Sequence, residues 1–180
     1  MKRVVIVALA SCMFFTMLLG WQFVFATAPP GSCNVKDFGA KGDGVTNDTS
    51  AIKSAIATLV PYDTLYFPTG TYIVRPPADG TYAILPIALA NLKIMGDGTG
   101  LSTIKVGDSP GATYTTYKYI FGPDYPQTAD FTGLEVYNLT FDHNIAHNAI
   151  PAGSGDTVIY NWMQASVCVY KGNNINFHNL

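Results

Sequence analysis

The sequence predicts an all-β chain wound as a parallel β-helix and closed at its start by one short helix. Three observations lead there. A strand-like string headed by asparagine returns three times at unequal spacing, only 12% of residues are charged, and one helical stripe is confined to the region before Pro61. That charge content is about half of ordinary usage. Thr, Asn, Ser and Gly take the place of charges, which suits stacked strands and many turns. No Lys/Arg cluster supplies a basic patch, so nucleic acid is excluded as a partner. The 180 residues fit one modest domain.

The first 26 residues stand apart from the fold. Lys2 and Arg3 precede an uncharged, largely apolar run from Val4 to Phe25, and the next charge is Lys36. This pattern predicts a secretory signal cut after Ala26, with an uncleaved membrane anchor as the alternative, since the run is long enough to span a bilayer. The expected location is secreted, cell-surface or periplasmic, with membrane contact only if the segment is retained. Without Lys2 and Arg3 the exported part carries 8 basic and 12 acidic residues, a formal charge of −4. Residues 27–33, including Pro29-Pro30-Gly31-Ser32, read as a linker, and the coils are expected over 34–180. Cys33 and Cys168 remain after export and are expected as independent thiols. No CxxC pair suggests zinc.

Asn34 to Phe38 reads as a short extended segment, followed by the glycine-rich turn Gly39 to Gly44. Asn47-Asp48-Thr49-Ser50 offers a dense set of helix N-cap candidates. The helix is expected over Ala51 to Val60, with Ile52, Ile56 and Leu59 on one stripe and Pro61 ending it. Beyond it the period changes to two: Leu65-Tyr66-Phe67 and Tyr72-Ile73-Val74 are strands around the turn Pro68-Thr69-Gly70. A polar excursion through Pro76, Pro77 and Gly80 leads to the apolar stretch Ala83 to Leu89.

The repeat comes next. Asn91-Leu92-Lys93-Ile94-Met95-Gly96 is echoed by Asn138-Leu139-Thr140-Phe141-Asp142-His143 and by Asn174-Ile175-Asn176-Phe177-His178-Asn179, starting 47 and then 36 residues apart. Unequal spacing disfavours a strict solenoid. It fits coils that keep their strands in register while loops of any length leave one side. Alternate apolar residues, among them Ile94, Phe141 and Phe177, are expected inside one tube, with recurring asparagines stacked at a corner.

Asn34 to Thr49, followed by Ala51-Ile52 and Ala55-Ile56, closely resembles the opening of pectate-lyase-superfamily right-handed β-helices of the rhamnogalacturonase and epimerase type. Thr64 to Tyr72 looks like the next signature of that superfamily, and Leu92 to Gly98 with Thr103-Ile104 like the strand pair that follows. The resemblance covers most of Asn34 to Val106. It implies that the short helix plugs the open end of the tube. Tyr62-Asp63 departs from the pattern, standing where glycines are usual. A scaffold so identified does not by itself name a reaction.

Members of the superfamily include hydrolases, lyases and epimerases. Hydrolysis needs paired carboxylates, and elimination or epimerisation needs a base to take the proton α to a uronate carboxyl and a cation to neutralise it. No close acidic pair and no Tyr, Asp and His cluster with a later Arg is visible, so the catalytic residues are unknown and the chain reads as a fragment whose chemistry lies downstream. The best substrate-binding candidates are Asp142, His143, Asn144 and His147, at the end of a repeat strand, where an acid and an imidazole would touch sugar hydroxyls. A plain polar turn explains the same residues. The i, i+4 spacing of His143 and His147 lacks the Glu and the helical context of a zinc site, so no metal is expected. No cofactor is expected, although calcium would accompany a lyase. Gly96 to Gly100 reads as a turn between coils. Tyr114, Tyr117, Tyr119, Tyr125, Tyr137, Tyr160, Trp162 and Tyr170 offer rings for sugar stacking or for packing. The expected function is modification of an acidic polysaccharide such as pectin, rhamnogalacturonan or alginate, with hydrolysis slightly ahead. The alternatives are a non-catalytic glycan-binding or spike-like β-helix, or an inactive fragment.

Overall fold

β-Branched and aromatic residues in alternation, broken by glycine or asparagine, force short strands, and short strands must pair with another coil. The computed structural model describes residues 28–76, 83–108, 119–123, 131–144, 146–148, 166–169 and 171–180. Among these residues eleven strands form in chain order: β1 (Ser32–Asn34), β2 (Asp43–Asn47), β3 (Thr64–Phe67), β4 (Gly70–Val74), β5 (Ala83–Pro86), β6 (Lys93–Gly96), β7 (Ser102–Val106), β8 (Tyr119–Gly122), β9 (Glu135–Tyr137), β10 (Thr140–Asp142) and β11 (Asn176–His178). All pairings are parallel. They make three sheets: A in the order β1-β3-β6-β9-β11, B in the order β10-β7-β4-β2, and C from β5 and β8. Val167 adds a bridge to Phe121 on sheet C. The chain visits C, A and B in turn and climbs one rung per circuit. This is a right-handed parallel β-helix, as the sequence predicts.

Register explains the core. On sheet A, Cys33, Leu65, Ile94, Val136 and Phe177 occupy one column. On sheet B, Tyr72, Ile104 and Phe141 do the same. Phe121 of sheet C packs edge-on against Phe67 of sheet A and Phe141 of sheet B, each at 6.2 Å between ring centres, so the three sheets meet on one ring. Ile94 is fully buried, and Phe141 packs against the same core. Phe177 lies in the Ile94 column but is 44% exposed, because β11 is the last rung of its sheet.

The corners are set by left-handed residues. Thr64, Lys93, Glu135 and Asn176 share one register position in four coils. Two residues before each stand Tyr62, Asn91, Gly133 and Asn174, all with φ between +54° and +77°. Asn and Gly visit this region at little cost; a tyrosine there costs about 1–3 kcal/mol. Successive corners interlock, because a Cβ on Gly133 would land on the Asn91 side-chain oxygen. The second corner, between sheets A and B, again uses left-handed asparagines, Asn138 and Asn179, and Asn179 Nδ2 donates to Asn138 Oδ1 at 3.1 Å. The asparagine-led strings are therefore not equivalent: those at Asn91 and Asn174 lead into sheet A, whereas that at Asn138 leads into sheet B.

The start of the tube differs from the expectation in three places. The first strand begins at Ser32, within the expected linker. Val35–Phe38 is not extended but a 3-10 turn: the Asn34 side chain accepts from the Lys36 N–H, and Gly39, at φ +98°, closes it. The helix α1 spans Thr49–Ile56, with Ile52 and Ala55 buried. It ends well before Pro61 because the Thr58 hydroxyl donates to the Ala55 carbonyl, and the amides of Thr58 and Leu59 bond three residues back. Asp48 occupies the N-cap position but makes no side-chain cap bond. Its carboxylate, 1% exposed, instead accepts from the amides of Lys41 (2.7 Å) and Gly42 (3.0 Å), pinning the glycine-rich turn. Asp48 N–H donates to Ile73 O, and Thr49 Oγ1 accepts from Arg75 N–H, which ties α1 to sheet B. Ile52 and Ala55 belong to the same core as the coil residues, so the helix closes the tube as a lid.

Both Cys33 and Cys168 are free thiols, and burial pushes the Cys168 pKa up. The segment expected as a signal or anchor lies outside the described residues, among which no helix is long and apolar enough to cross a membrane.

Candidate functional site

Sheet B carries its chemistry at the carboxyl ends of its strands, where the chain leaves for sheet C. β10 alternates Thr140 out, Phe141 in, Asp142 out, and its register sets Asp142 beside Lys105 of β7. The two form an ion pair at 3.0 Å. Asp142 Oδ1 also accepts the Asn144 N–H at 2.7 Å, and this short loop places Asn144 in the left-handed region at φ +52°. Burial pulls the Asp142 pKa upward, but Lys105 and the Asn144 amide outweigh it, so the carboxyl titrates below its ordinary value.

Asn144 is itself buried and joins the network to the preceding coil. Its Nδ2 donates to Asp108 Oδ1 at 2.6 Å, and its Oδ1 lies 3.0 Å from His147 Nδ1. His147 Nδ1 is also 3.2 Å from Asp108 Oδ1. Both neighbours are acceptors, so Nδ1 carries a proton. Arg75, one coil further back, donates from its guanidinium to the Asp108 carbonyl. His143 turns the other way: its Nε2 lies 3.2 Å from Ser166 Oγ, beside the bridge into sheet C, and Asn148 donates to its carbonyl. Burial pushes the His143 pKa down, partly offset by Asp142, and so favours the neutral ring.

An open cleft of about 610 Å³ runs along this edge, lined by Thr103, Thr140, Phe141, Asp142, His143 and Asn144. Three of the four predicted contact residues line it, and His147 joins them through Asn144. Sequence reading missed Lys105, Asp108, Arg75 and Ser166. For Lys105 a signal existed: Thr103-Ile104-Lys105 and Thr140-Phe141-Asp142 share one pattern, which places the two charges side by side once the strands pair. Asp108, Arg75 and Ser166 come from other coils or loops and leave no local mark.

The arrangement offers donors and acceptors for hydroxyl groups, together with two acid and two guanidinium or ammonium groups already engaged with partners. Among the described residues no group of three or more His, Cys, Asp or Glu side chains is placed to hold a metal ion. Of the eight aromatics singled out in the sequence, Tyr119 and Tyr137 are described. Tyr119 is buried and donates to Pro123 O at 2.7 Å. Tyr137 stacks on His178 at 4.9 Å with its hydroxyl 3.2 Å from Met95 Sδ. Both serve packing. Tyr114, Tyr117, Tyr125, Tyr160, Trp162 and Tyr170 lie outside the described residues.

Three parallel sheets, a helical lid and left-handed corners define a pectate-lyase-like β-helix. Residues 32–179 match the family described as "Rhamnogalacturonase A/epimerase, pectate lyase-like", and the chain belongs to that family. It is 45% identical over 116 residues to mannuronan C5-epimerase AlgE1 of Azotobacter vinelandii, a match covering 62% of this chain and 8% of that protein. It is 46% identical over 77 residues to alginate lyase 7 of the same organism, covering 42% and 9%. Among solved structures, the A-module of A. vinelandii mannuronan C-5 epimerase AlgE6 superposes with a TM-score of 0.52 at 25% identity, covering 82% of this chain and 33% of that one. The matched part of the chain spans less than a tenth of each of the two relatives matched by sequence.

Proposed function

We propose that this protein is exported and acts on a uronate-bearing polysaccharide, which lies against the side of the tube where sheet B hands over to sheet C. The likeness to relatives named for mannuronan and alginate carries the reading, and the polar edge at Asp142, His143, Asn144 and His147 supports it. The cleft is open, as a polymer requires, and its groups match hydroxyl-rich ligands. Proton abstraction at C5, common to epimerisation and elimination, now stands ahead of hydrolysis. Hydrolysis needs one carboxyl kept protonated, whereas Lys105 and an amide hold Asp142 below its usual range.

One observation favours a second reading, a module that binds glycan without changing it. The charged groups at this edge are already paired: Asp142 with Lys105, and Asp108 with Asn144 and His147. Incubation with polymannuronate in deuterated water separates the two. An epimerising enzyme installs deuterium at C5, and an eliminating one expels the O4 group and leaves a C4=C5 double bond that absorbs in the ultraviolet; binding with neither change leaves the binding module. Either way the protein is expected to bind polymannuronate and not neutral glucan, and Asn144→Ala with His147→Ala is expected to weaken binding about tenfold. Equal binding of neutral glucan, or an unchanged affinity in the double variant, would reject the site.

A further inference from the structure

Tyr62 breaks the rule that its own fold sets. The three later coils place Asn91, Gly133 and Asn174 at this corner, residues that adopt a left-handed backbone readily, whereas the coil of β3, next after the opening strand β1, places a tyrosine at φ +77°. The hydrogen bond that Tyr62 itself makes among the described residues, from its N–H to Asn91 O at 3.1 Å, comes from the backbone and would be made by asparagine or glycine as well. Nor does the ring fill space: the residue is 78% exposed. A strained backbone under a bulky, largely exposed side chain needs a reason outside the folding of this chain.

We propose that Tyr62 is a stacking platform for one pyranose ring of the polysaccharide, held at the lidded end of the tube. This rests on the reading that the ligand is a glycan, and it adds a contact remote from the Asp142 edge. The position suits it. Tyr62 sits where the chain enters sheet A on the side of sheet C, whereas the Asp142 edge lies where sheet B passes to sheet C. The two corners flank the same sheet.

The backbone beneath the ring is also held firmly. Val60 N–H donates to Asp63 Oδ2 at 2.8 Å, Asp63 N–H donates to Val60 O at 3.1 Å, and Asp63 O accepts from Lys93 N–H at 3.0 Å. The turn carrying Tyr62 is thereby pinned on both sides and to the next coil, so little order is lost when a ligand docks. Val60, 58% exposed, extends the apolar ledge. One ring with one small apolar neighbour matches the C–H face of a sugar. It is too small for the desolvated centre of a protein interface, which needs surrounding contacts that exclude water.

The test compares the parent protein with Tyr62→Asn and Tyr62→Phe by calorimetric titration with mannuronate and galacturonate hexamers, using a cello-hexamer as the neutral control. Asparagine is the residue of the next coil, so this variant relieves the backbone and is expected to unfold at the same or a higher temperature. Its affinity for the uronate hexamer is expected to fall about fivefold to tenfold, the size of one aromatic stack. Phenylalanine is expected to stay within about twofold of the parent, since it keeps the same ring face. A stable Tyr62→Asn protein that binds as tightly as the parent overturns the platform and leaves the uronate reading intact. A parent that binds none of the hexamers overturns both.

Discussion

Asp48 gives the sharpest test of how the lid is attached. In the sequence it reads as a helix cap; in the fold it holds the amides of Lys41 and Gly42 from a buried position. Asp48→Ala removes two charge-assisted bonds and leaves two donors without partners. Each bond to a charged group contributes about 1.5–3 kcal/mol. Lys41 is exposed and Gly42 half-buried, so water recovers part of the loss. A net cost of about 2–4 kcal/mol is expected, a fall in melting temperature of about 5–15 °C for a chain of this size. Asn47→Ala is the control, because the Asn47 side chain accepts from the Thr49 amide at 3.1 Å and serves the helix start. It should cost about 1 kcal/mol. Urea unfolding followed by circular dichroism, with equal slopes for parent and variants, measures both. If Asp48→Ala cost less than Asn47→Ala, Asp48 would be an ordinary cap and the pinning of the glycine turn would be incidental.

Two further outcomes follow from the same packing. Ile52→Asp buries a charge under the lid and is expected to yield aggregated protein by size-exclusion chromatography, with Ile56→Asp milder because Ile56 is only half-buried; a monomeric Ile52→Asp with a native spectrum would remove the lid's role. The Asp142 carboxyl titrates lower folded than unfolded, so its contribution is complete above about pH 4 and is lost as pH falls through the folded value. The pair is well exposed, so that contribution is at most about 1 kcal/mol. Lys105→Met should flatten the decline in stability below about pH 4, and identical slopes for parent and variant would show that the pair is idle. Asp43, whose pKa is lowered to about 2 by hydrogen bonds from Thr46 and Val45, declines in both proteins and cancels.

The fold was legible because its grammar is local. Alternation across Leu65–Phe67 and the stripe through Ile52 each reflect one face turned inward. The asparagine strings were also visible, but their phase was not. A left-handed asparagine marks two corners of the same coil, before sheet A and between A and B, so Asn138 looked like a partner of Asn91 when Gly133 holds that place. The end of α1 was misplaced because Pro61 is a conspicuous breaker, whereas the Thr58 hydroxyl that stops the helix is a quiet one. The polar edge was half legible. Asp142 to His147 are neighbours in the chain, but Lys105, Asp108 and Arg75 reach them only through rung-to-rung register, which no window of sequence displays.

The fit between Asn91 and Gly133 means that a rung of this tube is not a free-standing cassette. Transplanting one circuit into another β-helix, or duplicating it, would set a new residue over each asparagine, and anything larger than glycine above Asn91 would jam the stack. A tube of this kind is lengthened or shortened without jamming only when corner residues are exchanged in couples.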